Sequence, residues 1–302
     1  FVWQRQTAPN RKCNSHDIFG EGKHSMHGIV YLNGALVHSH DAQLSPFDAA
    51  VQYGAALFET LLAVDGRLHA WERHIARLHG SMEAVGIEIP ENDAELHKQA
   101  VYVLRKNGMM RGEARVKILV SPGDVTTYAP VRRATVLITA EPYQRPDPRF
   151  PWRLVMDGRV QAGRHLQHKS TSYLGMRMAL HDARRMGFDD LILLDRDGNI
   201  AESSLASVVL RKGGWWLFPD SDDALPGITS GLLRDLLLRR GERVKTRAIA
   251  AEEAFGSTLL LCNSLLGPFP VASINGRALH LLPEARISLL RSWWFDAGLP
   301  AE

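Results

Sequence analysis

The chain has 302 residues, 45% of them hydrophobic and 23% charged, which is the balance of a globular protein that buries a full core without disulfides or metals. Its net charge of +3 comes from 36 basic and 33 acidic residues that are interspersed, which argues against a nucleic-acid or membrane-surface binder. No apolar run reaches the ~20 residues that span a bilayer, and the two cysteines, Cys13 and Cys262, lack a metal-ligand pattern. We therefore expect a cytoplasmic protein without a structural disulfide.

Residues 1–25 are polar and without periodicity, and sequence typical of ordered structure begins at Met26. We interpret this stretch as an extension that is expected to be disordered, either an added leader or an upstream choice of reading frame. It is left out of the fold prediction.

Residues 26–143 predict an N-terminal α/β domain. Asn33-Gly34 and Asp65-Gly66 each lie between short apolar runs, a strong signal for a two-residue hairpin. The second of these hairpins would pair Leu57–Val64 with Leu68–Trp71. The remaining elements of this half are predicted as two helices and two strands, at Glu72–Val85, about Asp93–Asn107, Ala114–Val120 and Ala134–Thr139.

Three prolines within residues 141–148 disfavour a helix or a central strand, so we place an interdomain linker at residues 144–151. Residues 152–302 then predict a larger C-terminal domain of mixed strands with helices. Its predicted strands are Arg153–Met156, Leu191–Leu194, a strand from Ile200, Val208–Leu210, Trp215–Leu217 and Thr258–Cys262, and its predicted helices are Ser172–Met186, Thr229–Arg240 and Pro283–Ala297. The chain is expected to be a two-domain α/β (α+β) protein.

Lys169 lies just before a predicted helix, where a lysine alone is usually a solvated surface charge. Two later features change that interpretation. Glu202 lies near the start of the predicted strand from Ile200, and residues 225–229 open a helix whose first amides, with the Thr229 hydroxyl, would bind an anion. Pyridoxal phosphate chemistry needs these three groups together: an amine to form the imine, a carboxylate to keep the pyridine nitrogen protonated, and a cradle for the phosphate.

With these residues in place, the sequence resembles the class IV aminotransferase family, the fold type IV pyridoxal phosphate enzymes. That family includes branched-chain aminotransferases, D-amino-acid aminotransferases and aminodeoxychorismate lyases. The matching segments are Tyr53–Leu61, Glu72–Leu78, Lys169, Ala201–Ser204 and Leu225–Thr229. The resemblance implies a fold type IV architecture, pyridoxal 5'-phosphate as cofactor in a cleft between two domains, a small-molecule amino substrate, and a homodimer.

The resemblance also implies roles for the matching residues. Lys169 is the catalytic Schiff-base lysine, Glu202 pairs with the pyridine nitrogen, and Arg77 binds the phosphate. A guanidinium and a helix N-terminus suit a phosphate dianion, because hydrogen bonds between charged groups are about twice as strong as neutral ones. Further cofactor contacts are expected from Tyr173, Gly227, Ile228, Thr229, Asn263 and Ser264.

The segment Asn263-Ser264-Leu265 resembles the lyases, whereas transaminases of the family more often have a Ser/Thr-rich run followed by Glu. The expected reaction is therefore conversion of 4-amino-4-deoxychorismate to 4-aminobenzoate and pyruvate, in folate precursor synthesis. The freed amine of Lys169 is the natural general base. The alternative is a transaminase that acts on a D-amino acid, a branched-chain amino acid or an amine.

Two departures from the family pattern leave questions open. Many lyases and D-amino-acid aminotransferases have Arg-Gly after the strand that ends here at Val120, a plausible carboxylate grip, but this chain has Ser121–Asp124 there. The residue that binds the substrate carboxylates is thus unassigned. Leu205–Ser207 stands where the family often has Ser-Asn.

Two other interpretations carry less weight. A non-catalytic relative that only binds a phosphate ligand would leave Lys169 idle. The close pairs His38 with His40 and His165 with His168 come without a metal-binding motif, so we expect solvated or supporting histidines and no metal.

Overall fold

The structure is a computed structural model that describes residues 28–125 and 133–299, so the predicted extension and Cys13 lie outside the described residues. The strands are β1 (Ile29–Leu32), β2 (Ala35–His38), β3 (Leu57–Val64), β4 (Arg67–Leu68), β5 (Glu113–Ser121), β6 (Thr135–Pro142), β7 (Trp152–Val155), β8 (Asp190–Leu194), β9 (Ile200–Ser203), β10 (Ser207–Lys212), β11 (Trp215–Pro219), β12 (Val244–Arg247), β13 (Thr258–Asn263), β14 (Gly267–Ile274) and β15 (Arg277–Ala278). The α-helices are α1 (Ala49–Tyr53), α2 (Trp71–Val85), α3 (Asp93–Lys106), α4 (Leu174–Arg185), α5 (Ile228–Arg239) and α6 (Glu284–Gly298), and two short 3-10 helices span Arg164–Gln167 and Ala251–Ala254. None of these helices is both long and apolar enough to cross a membrane.

The first sheet contains six antiparallel strands in the order β2-β1-β6-β5-β3-β4. Both predicted hairpins are present, and their turns use positive φ angles at Asn33-Gly34 and Asp65-Gly66. Apolar residues of α2 and α3, including Ile75, Leu78 and Leu96, pack into the core of this sheet. The second hairpin is shorter than predicted, because Trp71 begins α2 rather than ending a strand.

The second sheet contains nine strands in the order β12-β11-β10-β13-β14-β7-β8-β9, with β15 beside β14. Pairing is parallel for β11 with β12, β14 with β7 and β7 with β8, and antiparallel elsewhere. Helices α5 and α6 contribute Leu233, Leu237 and Leu290 to a buried cluster on this sheet. The observed arrangement is the mixed α/β architecture that the sequence predicted.

The two sheets are joined by apolar packing as well as by the chain. Leu62 of β3 forms one buried cluster with Leu232 and Leu236 of α5 and with Trp294 of α6. The chain between β6 and β7, residues 143–151, contains no helix or strand. The division into domains 26–143 and 152–302 with a linker at 144–151 stays a prediction.

Candidate active site

A cavity of about 260 Å³ takes its walls from both sheets. Its lining includes Phe58 of β3, the β9–β10 connection and the turn after β13. The residues that the sequence analysis selected from five separate segments all line it: Arg77, Lys169, Tyr173, Glu202, Gly227, Ile228, Thr229, Asn263 and Ser264.

The segment that carries Lys169 is attached to the start of β3 by backbone hydrogen bonds. Phe58 N–H donates to the carbonyl of Lys169 at 2.8 Å, and Thr171 N–H donates to the carbonyl of Ala56 at 2.7 Å. His168 Nδ1 lies 3.1 Å from Ser81 Oγ, which ties the same segment to α2. Lys169 is therefore held between the two halves of the molecule.

The Lys169 ammonium group faces an aromatic ring rather than a carboxylate. Its Nζ lies 4.6 Å from the centre of the Phe58 ring. Burial, with the nearby charge of Arg77, lowers the pKa of Lys169 to about 8. About a tenth of this amine is thus unprotonated at pH 7, which is the state that can act as nucleophile or base.

Glu202 of β9 is 7% exposed and accepts a 2.9 Å hydrogen bond from Gln161 Nε2. Gln161 also donates to the carbonyl of Asp223 at 2.9 Å, which fixes its amide. Burial raises the pKa of Glu202 to about 7, although the hydrogen bond from Gln161 and the charge of Lys169 favour its ionised form. Glu202 can therefore hold or release a proton near neutrality. Sequence reasoning did not find Gln161, which belongs to no recognisable motif.

Tyr173 donates its hydroxyl proton to the carbonyl of Ser204 at 2.8 Å, and its ring lies edge-on to Phe58 with 6.1 Å between centres. Burial raises the pKa of Tyr173, so the phenol is neutral and remains a donor. The Ser204 hydroxyl in turn contacts Asp190, a fully buried carboxyl group.

The start of α5 forms the predicted anion cradle. Gly227 precedes the helix, and Ile228 and Thr229 supply first-turn amides that helix geometry leaves without partners inside the helix. A Cβ atom on Gly227 would lie 2.1 Å from Ser207 Oγ and 2.7 Å from Ser230 Oγ, so a larger residue would force these hydroxyls to move. Arg77 Nη1 donates to the carbonyl of Pro226 at 2.9 Å, which places its guanidinium beside the cradle.

Arg77 belongs to a buried polar network that the sequence analysis missed. Its Nε and Nη2 donate to the two carboxylate oxygens of Glu59, at 2.8 and 2.7 Å. Glu59 also contacts His74 Nδ1 at 2.7 Å, and His74 Nε2 lies 3.1 Å from Ser264 Oγ. Glu59 and His74 are 1% and 0% exposed. The signal was present, because Glu59 shares the core-facing spacing of Leu57 and Leu61, where an acidic residue requires a partner.

The side chain of Asn263 folds the turn between β13 and β14. Its Nδ2 donates to the carbonyl of Leu205 at 3.0 Å, and its Oδ1 accepts from the amides of Leu265 and Leu266 at 3.0 and 2.8 Å. Asn263 thus determines where Ser264 and Leu265 meet the cavity. A direct contact from Asn263 to a cofactor stays a prediction.

The residues after Val120, where the family often has Arg-Gly, make contacts to the start of α1. Ser121 donates to Asp48 Oδ1 at 2.6 Å, and the carbonyl of Gly123 accepts from Ala49 N–H at 2.9 Å, which attaches this segment to the start of α1. A cation does lie nearby on β5: Lys117 Nζ is 4.2 Å from the centre of the Phe58 ring that Lys169 also contacts. Lys117 was not selected from the sequence.

The histidine pairs do not form a metal centre among the residues that the structure describes. His38 and His40 stack with 5.2 Å between ring centres. Within residues 28–125 and 133–299, no three His, Cys, Asp or Glu side chains are grouped so that they could hold a metal ion.

Fold and site together define a protein class. A sequence model of the family described as "Amino-transferase class IV" matches residues 56–274, more than half of the chain, and the protein belongs to this family. Enzymes of the family use pyridoxal phosphate, the cofactor expected from the sequence.

Individual relatives carry two kinds of name. The chain is 25% identical over 228 residues to a probable branched-chain-amino-acid aminotransferase of Rickettsia bellii, covering 74% of this chain and 79% of the relative. It is 28% identical over 265 residues to the aminodeoxychorismate lyase of Bacillus subtilis, covering 82% and 87%.

Solved structures share the fold. The crystal structure of the branched-chain aminotransferase of Thermoproteus uzoniensis with norvaline superposes with a TM-score of 0.82 at 23% identity, covering 89% of this chain and 93% of that one. The branched-chain amino acid aminotransferase of Escherichia coli gives a TM-score of 0.81 at 22% identity, covering 90% and 95%. The predicted fold class is therefore confirmed.

Proposed function

We propose that this protein binds pyridoxal phosphate in the cavity and converts 4-amino-4-deoxychorismate to 4-aminobenzoate and pyruvate. The donor set fits the cofactor: the amides of α5 and the Arg77 guanidinium suit a phosphate, Glu202 suits a pyridine nitrogen, and Lys169 suits an aldehyde carbon. Gly227, Ile228 and Thr229 line the cavity at the start of α5, so the first-turn amides of this helix can bind an anion there. When bound, pyridoxal phosphate supplies an electron sink for negative charge that develops beside the amino carbon.

Each of these residues then has a defined task. Arg77 and the first-turn amides of Ile228 and Thr229 would bind the phosphate. Tyr173 would turn its hydroxyl proton from the Ser204 carbonyl to the ring oxygen. Glu202 is buried beside Gln161 and holds a proton close to its Oε atoms for sharing with the ring nitrogen. Lys169 is the amine that would hold the cofactor, and as a free amine it would accept the substrate proton, because burial keeps it partly unprotonated.

The observation that carries the lyase reaction is the Asn263-Ser264-Leu265 turn on the cavity wall. In sequence this turn resembles the lyases, and Asn263 determines its course with three hydrogen bonds. Lys117 supports a substrate that carries carboxylates, because its ammonium group shares the Phe58 ring with Lys169. We propose Lys117 as the cation for a substrate carboxylate in place of the absent arginine after Val120.

Transamination of a branched-chain amino acid, a D-amino acid or an amine is the second candidate. It is favoured by the names of the Rickettsia relative and of both solved structures above. The cofactor residues serve both reactions equally, so only the substrate distinguishes them.

One experiment decides between the two reactions. The purified enzyme is incubated with 4-amino-4-deoxychorismate, generated in place by a synthase, and 4-aminobenzoate and pyruvate are followed. In parallel it is offered D-alanine, L-leucine or an aryl ethylamine with a keto acid. We expect 4-aminobenzoate without any keto acid, loss of product with Lys169→Ala, and a raised KM with Lys117→Met. Keto-acid-dependent turnover without 4-aminobenzoate would reject the lyase reaction and favour transamination.

We further propose that the protein is a cytoplasmic homodimer. Tyr53 and Leu174 are 67% and 71% exposed, and they flank the contact in which Ser172 Oγ donates to the carbonyl of Gly54. Large apolar side chains exposed together beside a cavity mouth are typical of a surface that another subunit covers. Sedimentation equilibrium should give twice the chain mass, and Tyr53→Asp with Leu174→Asp should give the monomer. A wild-type monomer at micromolar concentration would contradict this.

A further inference from the structure

His74 lies at the centre of a buried chain of polar groups that ends in the cavity. On one side its Nδ1 is 2.7 Å from Glu59 Oε2, and on the other its Nε2 is 3.1 Å from the hydroxyl of Ser264. The imidazole is fully buried, so no solvent hydrogen bond competes with these two contacts. Each ring nitrogen therefore has one partner, and the protons on the ring decide which way each hydrogen bond runs.

The proton positions follow from the neighbours. Burial alone would raise the pKa of Glu59, but hydrogen bonds from Arg77 and His74 outweigh it and lower the pKa to about 2. Glu59 is thus an ionised acceptor, and the hydrogen atom in its contact with His74 must lie on Nδ1. Burial lowers the pKa of His74, so the ring is neutral and Nε2 carries no proton. Ser264 then has to donate its hydroxyl proton to Nε2.

This direction has a consequence for anion binding. A Ser264 hydroxyl that donates to His74 presents only oxygen lone pairs to the cavity, which repel the oxygens of a phosphate. If His74 takes up a proton at Nε2, the hydrogen bond reverses: Nε2–H donates to Ser264 Oγ, and the hydroxyl proton becomes available to the anion. Protonation breaks no bond and needs only one proton from solvent.

We propose that His74 is a positioning residue that couples phosphate binding to its own protonation, so that Ser264 changes from acceptor to donor when the anion enters. This inference rests on the proposed cofactor site, since Ser264 and the α5 cradle line one cavity. The network connects His74 to the cradle, because Arg77 donates both to Glu59, the partner of His74, and to the carbonyl of Pro226. An anion at the cradle favours an imidazolium, since a nearby opposite charge stabilises the charged form of a titratable group.

The charged groups that face His74 are consistent with this coupling. Glu59 on β3 favours the protonated form of His74. Arg77, which lies on α2 with His74, and Lys169 disfavour that form. His69 lies just ahead of α2. Burial, with a smaller effect of charge on His74, lowers the pKa of His69 to about 4, so His69 is neutral. The charges of Glu59 and Arg77 balance each other, so a proton on His74 would add to the positive charge of Lys169. A phosphate would neutralise that charge.

The test uses pyridoxamine 5'-phosphate, which carries the phosphate but has no aldehyde to react with Lys169. The full-length protein is labelled with ¹⁵N-histidine, and the imidazole nitrogen shifts are recorded near pH 7.5 with and without this ligand. We expect the His74 ring to change from the neutral Nδ1–H tautomer to the imidazolium on binding. Its resonance is identified as the one lost in His74→Asn or, if that variant does not fold, as the one perturbed by Ser264→Ala.

Affinity provides a second readout. Ser264→Ala should weaken pyridoxamine phosphate binding about tenfold, as expected for loss of a hydrogen bond to a charged group. It should also flatten the fall of affinity with rising pH that proton uptake produces. His79→Gln is the matched control, because His79 lies on the same helix but pairs with Asp93 on the surface. This control should change neither quantity.

The outcomes separate the inference from the proposed function. Tight binding of pyridoxamine phosphate with a neutral His74, or a Ser264→Ala pH slope equal to that of the wild type, would overturn the coupling and leave the cofactor site standing. No binding of pyridoxamine phosphate by the wild type would reject the cofactor site, and the coupling with it.

Discussion

The two walls of the cavity differ in whether their surroundings favour the ionised form of their buried carboxyl group. On the wall built by α2 and β3, both oxygens of Glu59 and both ring nitrogens of His74 have partners. On the opposite wall, Lys169 faces an aromatic ring, and Glu202 has a pKa raised by burial. The difference indicates that the first wall fixes geometry, whereas the second keeps an acid and a base close to titration for chemistry.

The largest expected effect comes from the second wall. Lys169→Ala removes both the attachment point and the base, so we expect turnover to fall roughly 10⁴-fold. Product formation under single-turnover conditions measures this loss. Lys106→Ala, an exposed lysine at the end of α3, is the control and should retain full activity. Near-normal turnover by Lys169→Ala would show that the base lies elsewhere.

The first wall should respond through stability. Glu59→Gln removes the charge that Arg77 and His74 share, and breaking a buried ion pair costs about 3 kcal/mol or more in free energy of unfolding. Because the pKa of Glu59 is lowered, its contribution is present above ~pH 5 and is lost as the pH falls toward 2. Urea unfolding at several pH values measures this, with the exposed Glu83→Gln as control. A Glu59→Gln protein as stable as the wild type at pH 7 would contradict the role given to this wall.

Glu202→Gln should stabilise the cofactor-free protein, whereas Glu59→Gln should destabilise it. The folded state holds the Glu202 proton more tightly than the unfolded state, so stability present below ~pH 4.5 is lost as the pH rises through about 7. Glutamine avoids that loss. The variant should therefore be more stable than the wild type at pH 8, by about 3 kcal/mol, and equal to it near pH 4.5. Its turnover should nevertheless be slower, because a neutral amide cannot hold the ring proton. A variant less stable than the wild type at pH 8 would mean that burial does not disfavour ionisation of Glu202.

The smallest effect is expected at Gln161. Gln161→Ala removes one hydrogen bond from Glu202, so the pKa of Glu202 should rise further and activity at neutral pH should fall by less than about tenfold. The acidic limb of the activity profile should move to higher pH. Gln167→Ala serves as control, because Gln167 donates to Asp222 at an exposed position. An unchanged profile for Gln161→Ala would exclude a role in tuning Glu202.

Strong local patterns made most elements predictable from the sequence. Asn33-Gly34 and Asp65-Gly66 permit the positive φ angles of their turns, and Ile75, Leu78 and Met82 mark the buried face of α2. Strand β14 was not predicted, because Pro268 and Pro270 argue against a central strand. Both prolines precede Val271, where β7 first joins, so their missing N–H groups remove no bond to β7.

The candidate site was predictable to the extent that its residues lie in family motifs. The chain order of Lys169, Glu202 and the α5 start could be read without the fold. Gln161 and Lys117 could not, because their importance arises only when separate segments meet. Lys117 of β5 pairs across from Thr60 of β3, and its ammonium group lies beside the ring of Phe58. A residue whose role is to contact another side chain far away in the sequence has no fixed spacing from its partner, so no sequence motif marks it.

The central claim is that the cavity holds pyridoxal phosphate on Lys169. The most direct test is to load the protein with pyridoxal phosphate, reduce it with borohydride, digest it and locate the modified lysine by mass spectrometry. We expect one phosphopyridoxyl group per chain on the peptide that contains Lys169. Lys117 is a built-in comparison, because it contacts the same Phe58 ring. Modification at Lys117 or at surface lysines, with Lys169 unmodified, would contradict the account.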